Sequence, residues 1–260
     1  MKLSEEMKNK TLLSFELFPP KTEKGLQNLP GTIDHLMKYN PSYISCTYGA
    51  GGGNVGANRE VCQMIKNAGT TPVTHFTVIK NTKEGIKEQL DQYLADGVDH
   101  MLALRGDIPL GETTTCGDFD YATDLVKFVR DTYGDKFEIA VAGSPEGHIS
   151  CRSLESDIAV LKQKQDNGAD YIMTQLCWDM EQFKYWLDAI RKAGVTMPVD
   201  VGVMPILDQA ATISMALSRN GCVMDRELSR LISKYWIFPN PFDKAPFDDN
   251  LEQKKEDFKK

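Results

Sequence analysis

A carboxylate held between aromatic residues on a buried strand can carry a proton near neutral pH. The stretch Ser14-Phe15-Glu16-Leu17-Phe18-Pro19-Pro20 has that form. Burial disfavours the ionised carboxylate, so the pKa of Glu16 should rise and the residue could serve as a general acid. The alternative is a Glu16 paired with a lysine or arginine, and residue type leaves both readings open. Other ligand-handling types follow at intervals: Thr47, His75, Arg105-Gly106-Asp107, Glu146, His148 and Gln175. Gly106 between two charged residues allows close backbone approach to a ligand. A turn with a surface ion pair is the plainer reading of that spacing. The Gly49-Ala50-Gly51-Gly52-Gly53 stretch could cradle phosphate. It lacks the lysine of a P-loop and the setting of a dinucleotide fingerprint, so it reads as a flexible loop. His35 and His100 fall on a helix and a strand start and read as structural. No histidine or cysteine spacing suggests a metal.

These residues need a scaffold that gathers distant segments. Short apolar, β-branched runs at 12–18, 43–48, 72–78, 100–104, 137–142, 171–176 and 199–206 alternate with segments of helical period. Their starts lie roughly 30 residues apart, the length of one βα unit. Continuous apolar runs suit strands buried on both faces, as in a parallel sheet. Gly69, Gly97, Gly134, Gly168 and Gly194 each follow a helical segment and precede a strand, where glycine can close a helix in the left-handed conformation. Asp179 with Gln182 resembles a capping pair at the start of a helix. The sequence therefore predicts an α/β fold, a (β/α)8 TIM-type barrel, with its site at the C-terminal ends of the strands. After the seventh strand come an extra helix at 225–235, a Pro/Phe-rich loop at 238–247 and a charged helical stretch at 250–260. No eighth strand is legible. The expectation is one barrel domain over 1–260, truncated at its C-terminus, because seven parallel strands would leave two unpaired edges.

The totals agree with a single core. The chain has 260 residues, 41% of them hydrophobic, and a net charge of −7. An acidic balance with no basic face argues against nucleic acid as a partner. No apolar run approaches the ~18 residues of a membrane span, and the mixed charges of the first residues do not form a secretory signal. The expected location is cytoplasmic, with Cys46, Cys62, Cys116, Cys151, Cys177 and Cys222 as reduced thiols, most of them buried.

Taken together, Ser14-Phe15-Glu16-Leu17-Phe18-Pro19-Pro20, Thr47-Tyr48-Gly49-Ala50, Leu104-Arg105-Gly106-Asp107, Pro145-Glu146-Gly147-His148, Thr174-Gln175 and Gly202-Val203-Met204-Pro205 resemble the methylenetetrahydrofolate reductase family. They fall in the family's order over roughly Leu12 to Pro205. The resemblance implies a barrel that binds a flavin, FAD or alternatively FMN, without a Rossmann motif. It implies NADH or NADPH as reductant, and a ping-pong reduction of methylenetetrahydrofolate to methyltetrahydrofolate. Glu16 would protonate a bridging amine of the folate. Asp107 would contact the pterin and stabilise the resulting cation. Gln175 would orient the pterin and help position the nicotinamide. Thr47, Tyr48, Ala50, His75, Arg105, Gly106, Asp107, Tyr121, Ala122, His148, Asp157 and Lys164 match flavin-contacting positions.

Three departures stand out. Ser144 replaces an aromatic that contacts the flavin in many relatives. Val160 and Gln163 replace other contact residues on the helix after strand five, so these positions bear on the adenosine half of the cofactor. Leu176 replaces an aromatic beside Gln175. The resemblance also implies a homo-oligomer or a complex with a partner reductase subunit. Two other readings share the polar strand ends: a flavin-free pterin-binding methyltransferase, and a non-catalytic barrel that binds a partner reductase.

Overall fold

The computed structural model describes residues 2–20, 22–48, 55–108, 111–148, 150–206, 212–213, 224 and 226–235. Seven strands make one sheet: β1 (Ser14–Leu17), β2 (Tyr43–Cys46), β3 (Thr71–Thr77), β4 (His100–Leu104), β5 (Glu138–Gly143), β6 (Tyr171–Thr174) and β7 (Val199–Asp200). Every neighbouring pair is parallel and the spatial order follows the chain. The helices are α1 (Leu3–Met7), α2 (Glu23–Met37), α3 (Val55–Asn67), α4 (Lys83–Ala95), α5 (Ala122–Tyr133), α6 (Leu154–Asp166), α7 (Met180–Lys192) and α8 (Arg226–Tyr235). Helices α2 to α7 are the crossovers, one between each pair of strands, as parallel pairing requires.

Alternation along the strands explains their continuous apolar character. Ile44, Phe76, Met101, Ile139 and Ile172 face outward and pack with Val61, Ile65, Leu90, Val126 and Trp186 of the helices. Tyr43, Val73, Leu102, Ala140 and Tyr171 face inward and meet Leu3 of α1. Each strand is thus buried on both sides. The five glycines that follow helices all have positive φ, from 58° at Gly134 to 104° at Gly168, in keeping with the sequence expectation. Asp179 Oδ1 accepts from the Glu181 and Gln182 amides at 2.9 and 3.0 Å. The Gln182 side chain does not reciprocate; its Nε2 donates to Pro145 O at 2.8 Å.

The sheet is curled almost shut. A flat seven-stranded sheet would hold β1 and β7 about 29 Å apart at the usual strand spacing. Instead, the Asp200 carboxylate of β7 accepts a hydrogen bond from Ser14 Oγ of β1 at 3.1 Å and another from the Tyr43 hydroxyl of β2. The described residues contain no eighth strand, so β1 and β7 have one neighbour each. The described residues thus form seven consecutive strands of a TIM-type barrel. Strand β7 stops well short of the expected 199–206. The Gly202 amide donates to the Thr174 hydroxyl at 2.9 Å rather than continuing the ladder. The expected helix at 225–235 is α8, while the expectations for 238–247, 250–260 and Cys222 lie outside the described residues. Cys46, Cys62 and Cys177 are buried thiols, Cys151 is half-buried and Cys116 is exposed. No described helix is long and apolar enough to cross a membrane.

Helix α1 was not legible in the sequence. It sits at the N-terminal end of the strands, with the Leu3 and Ser4 amides each 2.7 Å from the buried Glu138 carboxylate. His100 lies between two carboxylates, Glu138 at 3.0 Å and Asp99 at 2.6 Å.

Candidate active site

Parallel pairing places Glu16, Thr47, His75, Arg105, Ser144 and Gln175 at or just past the same end of the sheet. Glu16 shares the inward face of β1 with Ser14, and its Cα partner is Ser45 on β2. Its carboxylate Oε2 lies 3.8 Å from His75 Nε2, which projects inward from β3. His75 is only 6% exposed. Burial pushes its pKa down to about 4, so the ring is neutral at physiological pH and cannot form an ion pair with Glu16. Among the described residues no lysine or arginine pairs with Glu16. Desolvation in the mouth raises its pKa above the ordinary carboxylate value.

The cause differs in part from the sequence expectation. Glu16 is not enclosed by its flanking aromatics. Phe15 turns to the helix layer and meets Tyr39 edge-on at 6.2 Å, while Phe18 is 70% exposed. The Glu16 side chain itself is 45% exposed, on a strand that has only β2 beside it among the described residues. Its surroundings come from the concave inner face instead.

Three inward-facing polar atoms, Ser45 Oγ, His75 Nε2 and Thr77 Oγ1, are buried with no hydrogen-bond partner among the described residues. Such groups are costly to leave unpaired, so they suit a ligand or water with a polar edge. Thr77 carried no signal in the sequence beyond its alternation with His75.

Strand β4 ends in Arg105-Gly106-Asp107. Gly106 has φ of 85°, and a Cβ there would lie 2.5 Å from Ile79 Cγ1. The close approach that glycine permits is therefore to the end of β3, and it locks the two strand ends together. Asp107 is exposed and, among the described residues, has no cation paired with it. The surface ion pair suggested by the spacing is absent there.

Beyond β5, the His148 amide donates to Asp157 Oδ2 at 3.1 Å. Burial lowers the pKa of His148; Asp157 opposes this, and Arg105 and Lys164 add to it. These four side chains thus form one electrostatic group. Burial also lowers the pKa of Lys164, again opposed by Asp157, and its Nζ donates to Ala142 O at 3.0 Å. Two cations with a histidine and a carboxylate at a helix start can hold a phosphorylated, ribose-bearing group. Ser144 borders a cavity of about 10 Å³ beside Asp157, Lys164 and Trp186. Val160 is exposed on the surface of α6, and so is Gln163. Tyr121 is 61% exposed just before α5, and its amide donates to Asp124 at 3.0 Å; Ala122 opens that helix.

Thr47 faces inward. Its amide donates to Leu17 O at 2.9 Å. Tyr48 faces the other way: its ring packs on Phe76 at 5.4 Å and its hydroxyl bonds Gln89 of α4. The Tyr48 side chain therefore belongs to the core, and only its backbone can reach a ligand at the mouth. The reason is strand alternation, which sends consecutive side chains to opposite faces. Ala50 lies outside the described residues, as does the rest of its glycine-rich loop. Gln175 continues the inward face of β6. Its amide donates to Gly143 O at 2.8 Å and its own Oε1 accepts from the Leu176 amide at 2.8 Å, which orients the side chain. A Cβ at Gly202 would stand 2.7 Å from Thr174 O, so the segment after β7 can approach β6 this closely only with glycine at that position.

The arrangement offers a proton donor with a raised pKa, unpaired polar atoms beside it, an exposed carboxylate, an oriented amide and a cationic group. Sequence comparison identifies the chain's relatives. The family model for methylenetetrahydrofolate reductase matches residues 2–225. Methylenetetrahydrofolate reductase (NADH) 1 of Arabidopsis thaliana is 37% identical over 219 residues, spanning 79% of this chain and 37% of the relative. The 5,10-methylenetetrahydrofolate reductase of Salmonella typhimurium is 34% identical over 202 residues, 77% of this chain and 67% of the relative. The chain thus spans little more than a third of the plant protein's length. Among solved structures, an uncharacterised Clostridium thermocellum protein, described as binding two copies of 5-methyl-5,6,7,8-tetrahydrofolic acid, superposes with a TM-score of 0.63. That match is 14% identical and covers 99% of this chain and 85% of the other, a likeness of fold. With the family model matched over most of its length, this chain belongs to the methylenetetrahydrofolate reductase family.

Proposed function

We propose that the chain reduces 5,10-methylenetetrahydrofolate to 5-methyltetrahydrofolate, with NADH as donor and FAD as cofactor, in a ping-pong cycle. Family membership supports the substrate and product. The observation that carries the reading is the Glu16–His75 pair, a carboxyl of raised pKa 3.8 Å from a neutral imidazole. The residues fit a flavin: His75 Nε2 and Thr77 Oγ1 would bond its polar ring edge, while Arg105 and Lys164 would hold its phosphates. When bound, the flavin would supply the hydride chemistry between nicotinamide and folate. The Arabidopsis relative is named for NADH, which favours NADH over NADPH.

The chain's own residues supply the acid chemistry. Glu16 delivers a proton to the bridging amine nitrogen of the folate, which opens the five-membered ring to an iminium carbon that can accept hydride. The Asp107 carboxylate stabilises that cation. The Gln175 amide orients the pterin against the inner face of the sheet. The test is spectroscopic. Purified protein mixed with FAD should show visible flavin absorption that NADH bleaches anaerobically and methylenetetrahydrofolate restores. A protein that stays colourless, or a bleached sample that folate leaves unchanged, would overturn the proposal.

A further inference from the structure

Asn58 of α3 is fully buried, and its amide is saturated. Nδ2 donates to Cys46 O at 2.9 Å and to Thr47 O at 3.1 Å. Oδ1 accepts from Thr74 Oγ1 at 2.8 Å and from the Tyr93 hydroxyl at 2.7 Å, with the Cys62 thiol a longer contact at 3.6 Å. Two donors and two lone pairs are the full capacity of an amide.

The placement matters more than the count. The β2–β3 ladder ends at the pair Cys46–Thr74, while β3 runs on to Thr77. Past that point the carbonyl of Thr47 needs a donor other than the β3 backbone; Asn58 supplies it and also bonds the Cys46 carbonyl at the end of the ladder. The Thr47 amide still bonds to Leu17 O of β1, so the Thr47 backbone is pinned on both sides. The other end of the same amide holds Thr74, the residue before His75. One side chain thus sets where Thr47 stands relative to His75, and through His75 the surroundings of Glu16.

We infer that Asn58 is a positioning residue for the cofactor site: it holds the ends of β2 and β3 at the spacing that lets Thr47 and His75 engage the flavin together. The inference rests on the flavin reading given above. Asn58 touches neither cofactor nor substrate and acts through the backbone of Thr47 and the side chain of Thr74. A buried amide that only stabilised the fold would lower thermal stability when removed, without selective effect on the cofactor.

The experiment compares Asn58→Ala, Thr47→Ala, the double variant and Tyr93→Phe in the full chain, measuring FAD dissociation constant and thermal midpoint for each. Tyr93→Phe removes a different bond to the same amide and serves as the stability control. Asn58→Ala should weaken FAD about 10- to 100-fold, the scale on which small misplacements act. The double variant should lose less affinity than the product of the two single losses, because coupled residues are non-additive. Tyr93→Phe should lower the midpoint and leave FAD affinity at the wild-type value. Should Asn58→Ala fail to fold, Asn58→Asp keeps the size and the acceptor for Thr74 and Tyr93, and should show the same selective FAD loss. Wild-type affinity in a folded Asn58 variant, or losses that multiply in the double variant, would overturn the inference. A wild-type protein that binds no FAD would overturn the flavin reading and this inference with it.

Discussion

Glu16 owes its raised pKa to burial, with no described cation beside it to reverse the shift. With His75 neutral at 3.8 Å and no described cation beside it, the carboxyl keeps the raised pKa that a general acid needs. Glu16→Gln should therefore slow the folate half-reaction by about 10²-fold or more, in the range typical of general acid removal. In the proposed ping-pong cycle, reduction of the flavin by NADH needs no proton from Glu16 and should be largely unchanged. Stopped-flow measurement of the two half-reactions checks this, and an equal loss in both would assign Glu16 to binding instead. Glu16 was legible from its motif. Asn58 was not, because a polar residue on a helix reads as surface until the fold closes over it.

At the scale of elements, α1 is held to the bottom of the barrel by Glu138, which in turn pairs with His100. Burial alone would raise the pKa of Glu138, but pairing with His100 and the Leu3 and Ser4 amides brings it down to about 2, below its ordinary 4.5. Burial likewise opposes charge on His100, yet Asp99 and Glu138 lift it to about 9, above its ordinary 6.5. A depressed carboxylate stabilises the fold above pH 4.5 and loses its effect as pH falls toward 2. An elevated histidine stabilises fully below pH 6.5 and loses its effect as pH rises through 9. The thermal midpoint should therefore be highest between these limits and fall from pH 6.5 to 9. Glu138→Gln should cost about 3 kcal/mol, as removing one partner of a buried pair does, and should flatten the alkaline fall. Calorimetry across that range checks both; an unchanged slope in the variant would show that another group titrates.

For the whole molecule, curvature depends on a contact between residues nearly two hundred positions apart. Asp200 gathers Ser14 and Tyr43 across the barrel interior, in a sheet whose first and last strands have no described partner on their outer edges. Asp200→Ala should destabilise the chain by about 2–3 kcal/mol, since both hydroxyls lose a charged acceptor. Tyr43→Phe should cost less, because Asp200 keeps its bond to Ser14. Urea unfolding ranks the two, and equal or reversed costs would mean that Asp200 does not hold the closure.

The sequence by itself determined the wound α/β order, and it did so through local physics. Apolar runs buried on both faces, glycines that take positive φ after five helices and the cap at Asp179 all act within a few residues. It also marked Glu16, Asp107 and Gln175 as candidates, because their motifs are short. Only the tertiary structure decided which side chains meet. Strand alternation sent Tyr48 into the core, a hydroxyl on Thr174 ended β7 early, and α1 found its partner in Glu138, more than a hundred residues away. The division has one physical cause. Conformational preference is carried by a residue and its near neighbours, whereas burial, pKa and hydrogen-bond pairing depend on whatever the closed sheet brings alongside.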